Sequence, residues 1–244
     1  MTLPLPALER LPWPQVQRLL ARDPRLLLAV GAMEQAGPHL PVGTNFHIAQ
    51  AVVDQVARTT GVLRAPGFCY GVRSRGSRAF AGTVGLSRKS LHRTVNELLA
   101  QWEDHGVKEF ILVTDHRSEA HLEALLMALT SKAQTNVFDL SAIYVDDLLQ
   151  GEAGMEHGGE RETSLLLHLF PDVVSMDAIV DVEPTAAVAS SYRRGHAPTP
   201  PPSTRGVFGY PSRATPEKGE RIYHRYVLAL ASYLRGENGP TETE

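Results

Sequence analysis

Three stretches of this chain concentrate side chains that bind cations or move protons. Residues 31–47 (GAMEQAGPHLPVGTNFH) place the carboxylate of Glu34, the imidazole of His39 and the amide of Asn45 among glycines and prolines. Residues 114–119 (TDHRSE) centre on His116, and residues 157–164 (HGGERETS) carry His157, Glu160 and Glu162. Carboxylate oxygens and imidazole nitrogens are the donors that hold zinc-class and manganese-class ions. Histidine also titrates in the range that suits general acid and base work. A fourth stretch, residues 70–79 (YGVRSRGSRA), offers Arg73, Arg75 and Arg78. Guanidinium forks and free backbone amides hold carboxylates or phosphates, so Arg73 and Arg75 are candidate contacts for an anionic group on a substrate. The alternative for this stretch is a solvated loop.

The elements around these stretches repeat one pattern. Residues 26–30 form an apolar run that reads as a buried strand, and Ile48, Val52, Val53 and Val56 then share a helix face. Residues 110–113 read as a strand covered on both faces, ending at His116 and followed by a helix with Leu122, Leu125, Leu126 and Leu129 inward. A strand that ends in a loop of special residues and continues as a helix is the usual edge of an α/β active site. Between the two, residues 62–68 give a strand that Pro66 either sends to the sheet edge or ends. Ser87 caps a helix carrying Leu91, Val95, Leu98, Leu99 and Trp102.

Further along, residues 137–145 suggest a strand pair or one strand broken at Ser141. Residues 165–169 give a helix stopped by Pro171, and Thr215 with Pro216 starts a last helix bearing Ile222, Tyr226, Val227 and Leu230. Residues 3–13 read as a Pro-rich entry arm before a short helix. Residues 176–204 read as a long surface loop or an arm to a neighbouring subunit, and residues 237–244 as a disordered tail. The expectation is one α/β domain over residues 1–236.

The 244-residue chain is 43% hydrophobic, enough for a substantial core, and its net charge of −3 gives no long-range attraction for nucleic acid or an anionic membrane. A small molecule or another protein chain is the expected partner. The single Cys69 forms no intrachain disulfide and is expected as a small buried hydrophobe. The N-terminus has no signal-peptide pattern, and no apolar run approaches the roughly 20 residues that span a bilayer, so a cytoplasmic protein is expected.

Taken together, the wording of these loops resembles the creatininase family of metal-dependent amidohydrolases. The family writes its first loop Glu-x-His-Gly-Pro-His-Leu-Pro-x-x-Thr-Asp. Glu34, Gly37, Pro38, His39, Leu40, Pro41 and Thr44 match it, while Ala36 replaces the His and Asn45 the Asp. In the second loop only His116 survives from Asn-Gly-His-Gly-Gly-Asn. The third loop, a His, a small residue, Gly-Glu-x-Glu-Thr-Ser, is matched from His157 to Ser164. The resemblance implies a three-layer α/β/α fold with a central, mostly parallel sheet, a homo-oligomer (often a hexamer), and two divalent ions with the attacking water between them.

Carried over residue by residue, it makes Glu34 and His116 metal ligands. Glu160 matches a carboxylate that some members supply from the third loop, consistent with Ser118 in the second. Asn45 offers a neutral oxygen where the family has a bridging carboxylate, and Ala36 offers nothing. The implied centre is one ion (Zn, Mn or Fe) rather than two, or none, held by Glu34, His116 and Glu160 with Asn45. His157 matches a proton shuttle, and with Glu160 forms the implied catalytic pair. Simpler roles stand beside these: Asn45 as a helix cap, His39 as a structural hydrogen-bonding residue rather than a substrate contact, and Glu160 and Glu162 as acids favoured at a helix N-terminus. Two functions follow from the resemblance: hydrolysis of a C–N amide bond, cyclic or linear, in a small polar substrate, or a catalytically inactive member serving as a binding or scaffold subunit.

Overall fold

The computed structural model describes residues 5–151, 156–193 and 198–237. After helix α1 (Trp13–Arg22), strand β1 (Arg25–Ala29) is followed by α2 (Thr44–Thr60), β2 (Leu63–Arg64), α3 (Arg88–Asp104) and β3 (Glu109–Thr114). Then come α4 (Glu119–Leu126), β4 (Gln134–Asp139), α5 (Glu160–Leu169), α6 (Ala186–Arg193) and α7 (Pro216–Leu234). The four strands form one parallel sheet in the order β2-β1-β3-β4.

Successive residues of a strand face opposite sides of the sheet, and this divides the apolar runs between two cores. Leu27, Ala29, Ile111 and Val113 pack under α2, α5 and α7, with Ile48, Val52, Leu165, Ile222 and Tyr226. Leu26, Leu28, Phe110 and Leu112 pack under α1, α3 and α4, with Leu20, Leu91, Leu99 and Leu125. The result is a three-layer α/β/α fold in which β1 and β3 are central, so the loops leaving them lie side by side at one end of the sheet. Residues 62–68 contribute only a two-residue edge strand, extended by an isolated bridge from Val30 to Phe68.

Three expectations are corrected. The leucine stripe of α4 is offset by one residue: His121, Ala124, Leu125 and Ala128 face the core, while Leu126 and Leu129 are exposed. A buried imidazole, not a leucine, sets that face, because His121 finds hydrogen-bond partners inside. Within residues 176–204, α6 stands where a loop was expected, started by the Thr185 hydroxyl accepting from the Val188 amide at 3.4 Å. Its Ala- and Ser-rich sequence has little apolar periodicity to signal it. Cys69 is free and only half-buried, outside the named strands. Most of the expected tail, residues 238–244, lies outside the described residues. No described helix is long and apolar enough to cross a membrane.

Candidate active site

The loop after β1 folds back over the start of α2. Gly31 is required there, because a Cβ at that position would lie 2.5 Å from the Phe46 Cα. The Ala32 amide donates to Asn45 Oδ1 at 2.8 Å, which fixes the orientation of the Asn45 side chain and aims its NH2 group at His116 Nδ1, 3.2 Å away. Asn45 lies inside the first turn of α2 with Gly43 in the capping position. The expected cap is therefore replaced by a clamp between two strand-end loops.

With Nδ1 accepting from Asn45, His116 carries its proton on Nε2, which donates to the Val72 carbonyl at 2.8 Å. Glu34 Oε2 lies 3.6 Å from that nitrogen and accepts from the Ser74 amide at 2.8 Å. Glu34 Oε1 is buried with no hydrogen-bond partner. Behind His116, the ring of His121 stands edge-on at 4.9 Å between centroids; its Nδ1 accepts from the Val72 amide at 3.2 Å and its Nε2 lies 3.2 Å from the Thr114 hydroxyl. Burial holds His121 well below the usual histidine range, so the ring is neutral.

The second part of the site is ionic. Arg161, at the start of α5, donates from Nη1 to Asp115 Oδ1 at 2.7 Å and to the Tyr226 hydroxyl at 2.8 Å. Glu156 lies 3.4 Å from its Nε and Glu162 lies 3.8 Å from its Nη2. All four charged side chains are buried. Desolvation pushes the Asp115 carboxyl up to about 6 against the pull of Arg161, and raises Glu156 for the same reason. Glu162 moves down: Arg161, His157 and the Gly158 amide together outweigh its burial. Asp115 Oδ2 has no partner, and Arg161 Nε has none in hydrogen-bond alignment, although Glu156 is within ion-pair distance.

These two parts border one small hollow of about 30 Å³, lined by Asn45, Asp115, His116, His157, Arg161 and Glu162 among others. A space of this size holds about one water molecule. His157 Nε2 is 2.8 Å from the Gln35 carbonyl and 3.0 Å from the Gln35 side-chain amide. With Nε2 donating to the nearer carbonyl, the side-chain NH2 of Gln35 is a contact and not a hydrogen bond, and Nδ1 is left as the basic nitrogen.

The structure thus brings Glu34, Asn45 and His116 into one network and His116, Asn45 and His157 to one hollow, and it places the other expected residues elsewhere. Glu160 is directed away from His116: its carboxylate accepts from the Gln150 and Gly151 amides and pairs with Lys218 of α7. Adjacent residues of a helix point about 100° apart, so Arg161 faces the hollow because Glu160 does not. His39, only 1% exposed, bonds to the Thr163 hydroxyl at 2.9 Å, and burial lowers its pKa to about 4; it is a structural link between the first loop and α5, not a substrate contact. From the Arg-containing loop it is Ser74 that lines the hollow. Arg73 is half-buried, and the Arg75 side chain lies outside the described residues.

Asp115, Glu156 and Arg161 were not singled out by sequence. Asp115 adjoins His116 and was open to notice. Arg161 occupies the freely variable position of the third loop, where no pattern marks it.

A three-layer parallel α/β fold with carboxylate and imidazole side chains on neighbouring strand-end loops is a hydrolase architecture, and comparison with known proteins makes it specific. Residues 9–234 match the family model Creatininase, described as creatinine amidohydrolase. The chain belongs to that family of amidohydrolases. It is 31% identical over 254 residues to a creatinine amidohydrolase of Pseudomonas putida, covering 95% of this chain and 96% of the relative. It is 34% identical over 234 residues to a mycofactocin precursor peptide peptidase of Mycobacterium ulcerans, covering 89% and 87%. A crystal structure of creatinine amidohydrolase superposes with a TM-score of 0.79 at 28% identity, covering 97% of this chain and 99% of the other. Other creatininase structures are described as a Zn-Zn type and as a Mn form, so a divalent ion is the cofactor of these relatives.

The residues here do not fit a pair of ions. Ala36 has no donor and packs in the apolar core under α2, both ends of the Asn45 amide are engaged, and the nearby carboxylates are held by Arg161. Among the described residues no three His, Cys, Asp or Glu side chains are grouped so as to hold a metal ion. What remains for a single ion is Glu34, with its unpartnered buried oxygen, and His116, whose Nε2 would have to give up its proton and the Val72 carbonyl to bind it. An orphaned carboxylate oxygen is costly to bury.

Proposed function

We propose that this chain hydrolyses a C–N amide bond, cyclic or linear, in a small polar substrate, using at most one divalent ion at Glu34 and His116. The observation that carries the proposal is the Glu34 carboxylate, whose Oε1 is buried without a partner and whose Oε2 lies 3.6 Å from His116 Nε2. A divalent ion bound there would polarise a carbonyl oxygen and lower the pKa of water. The chain's own residues supply the rest. Asn45 and the Val72 carbonyl orient His116. His157, which lines the same hollow as His116, would take a proton from attacking water on Nδ1 and return it to the leaving nitrogen. The Gln35 carbonyl holds the tautomer that this requires. Asp115, His116, Arg161 and Glu162 are buried, and the lowered local dielectric strengthens the charge interactions among them.

The two relatives are named for acting on creatinine and on a precursor peptide, so a panel of cyclic lactams and short linear peptides spans the chemistry to be tested. The purified chain is expected to release product from a member of that panel. Glu34→Gln, by weakening the hold on the ion, and His157→Asn, by removing the positioned base, should each lower the rate by about 100-fold or more.

A second reading, a non-catalytic binding subunit, is favoured by one observation: the absence, among the described residues, of any three grouped metal-binding side chains. It predicts no turnover across the panel with Zn, Mn or Fe supplied, and no change in metal content on Glu34→Gln. The self-association implied by the family resemblance belongs to both readings and is read by sedimentation of the native chain.

A further inference from the structure

One buried histidine stands outside the proposed chemistry. His121 lies on the inward face of α4, where a leucine would fill the space, and it is fully buried. An imidazole is costly to bury unless its nitrogens find partners. Nδ1 accepts from the Val72 amide at 3.2 Å, so the proton sits on Nε2, which faces the Thr114 hydroxyl at 3.2 Å and the Val30 carbonyl. Gly71 permits this approach, because a Cβ there would lie 2.5 Å from the His121 ring.

The residues that His121 holds are themselves bonded to His116. The Thr114 hydroxyl accepts from the His116 amide at 3.1 Å, and the Val72 carbonyl accepts from His116 Nε2 at 2.8 Å. Thr114, His116, Val72 and His121 thus close a ring of hydrogen bonds. His116 is gripped at its backbone and at its side chain, and His121 joins the two grips. Two residues past Val72, the Ser74 amide donates to Glu34 Oε2 at 2.8 Å. One short segment therefore supplies a partner to His116 and a partner to Glu34.

We infer that His121 is a positioning residue for Glu34 and His116: acting through Thr114 and through the Val72 to Ser74 segment, it fixes where His116 Nε2 stands relative to the Glu34 carboxylate. The inference deepens the proposed function and rests on its choice of Glu34 and His116 as the working pair. It adds that their geometry is set from α4, by a residue that does not line the hollow. Asn45 grips the other ring nitrogen of His116 independently, so loss of His121 loosens the Nε2 end alone.

The test follows the His116 Nε2 proton by proton–nitrogen correlation NMR of the histidine rings, in the native chain and in His121→Leu, His121→Asn and His121→Gln. In the native chain this proton should be hydrogen-bonded and slow to exchange with water. His121→Leu removes both links and should speed its exchange by about tenfold, the scale of one neutral hydrogen bond. The proton should stay on Nε2, because Asn45 still faces Nδ1. His121→Asn puts an oxygen close to where Nδ1 now accepts from Val72, and should restore slow exchange. His121→Gln reaches the Thr114 side instead, and should not.

A residue that only fills the core would lower the melting temperature in all three variants and leave the His116 proton alike in each. That outcome overturns the inference, as does a native Nε2 proton that exchanges freely. If His121→Leu does not fold, the contrast between His121→Asn and His121→Gln decides, and equal exchange in the two counts against the inference. None of these readings needs turnover. A chain inactive across the panel with the expected exchange pattern loses the hydrolysis and keeps the positioning role, and an active chain with unaltered exchange does the reverse.

Discussion

The two sides of the hollow are built from different physics. On the Glu34 side, His116 is positioned by hydrogen bonds to neutral groups: the Asn45 amide, the Val72 carbonyl and, one step back, the Ala32 and Ser74 amides. On the Arg161 side, position comes from charge, with one guanidinium against three buried carboxylates. Neutral hydrogen bonds contribute about 1 kcal/mol each and are exchanged at small cost. A buried charge deprived of its partner costs several times more. The Glu34 side is therefore the one that can trade protein contacts for a ligand, and the Arg161 side is the rigid wall against which it does so.

The largest expected effect breaks the rigid side. Arg161→Met leaves Asp115, Glu156 and Glu162 buried without the cation they pair with, only Arg117 still acting on all three, and should destabilise the chain by about 3–5 kcal/mol, read from urea denaturation at neutral pH. A loss below about 1 kcal/mol would mean that solvent reaches these carboxylates and that the wall is not rigid. The companion Tyr226→Phe removes one neutral acceptor and should cost only about 1 kcal/mol.

Next in size is a pH effect at His39, which joins the first loop to α5 and so connects the two sides. Its folded pKa is lowered to about 4, below the ordinary 6.5 of the unfolded chain. Above about 6.5 neither state is protonated and nothing is lost. As pH falls from there towards about 4, the unfolded chain takes up a proton that the folded one refuses, so stability declines. The linkage amounts to about 3 kcal/mol at the acid end. Comparing native chain and His39→Gln across this window isolates it from the carboxylates that also titrate. The variant should show the shallower acid-side loss, and parallel curves would refute the buried neutral imidazole.

How much of this was readable beforehand divides along the same line. The sheet, its central strands and the helices after them follow from apolar periodicity, which is local, and β1, β3, α2, α3 and α7 stand close to where it puts them. The loops that hold Glu34 and His116 were also marked, because Gly, Pro and special polar residues accumulate where a strand ends at a site. The ionic side was not. Asp115, Glu156, Arg161 and Tyr226 meet only through the packing of α5 and α7 against the end of β3, and nothing in their spacing announces it. Glu160 shows the reverse failure. It fits the motif of the third loop, yet the turn of α5 sends it to Lys218, a partner 58 residues away that no motif names.

That misplacement gives a smaller prediction. Lys218→Met removes the cation from Glu160 but leaves the Gln150 and Gly151 amides in place. Because those amides still solvate the carboxylate, stability should fall by about 1–2 kcal/mol, with metal content and turnover unchanged. A change in metal content instead would return Glu160 to the centre and undo the separation between the hollow and the α7 contact.

The smallest stability change, and the sharpest test of the exchangeable side, is Asn45→Asp. One carboxylate oxygen would keep the bond from the Ala32 amide. The other would replace the NH2 group that now faces the bare Nδ1 of His116, setting two acceptors against each other. Without a cation this costs about 1 kcal/mol, and with one it becomes favourable, since a carboxylate and an imidazole then share the ion. Asn45→Asp should accordingly bind Mn²⁺ more tightly than the native chain and be stabilised by it in a thermal melt. Adding Ala36→His should bring no further gain, although the family motif has a His there. Ala36 is buried in the apolar core beside α2, and an imidazole at that position must displace core side chains before it can reach an ion. If the double variant binds a second Mn²⁺ where the single variant does not, the Ala36 position opens onto the hollow and the division of the site into an exchangeable and a fixed side is wrong.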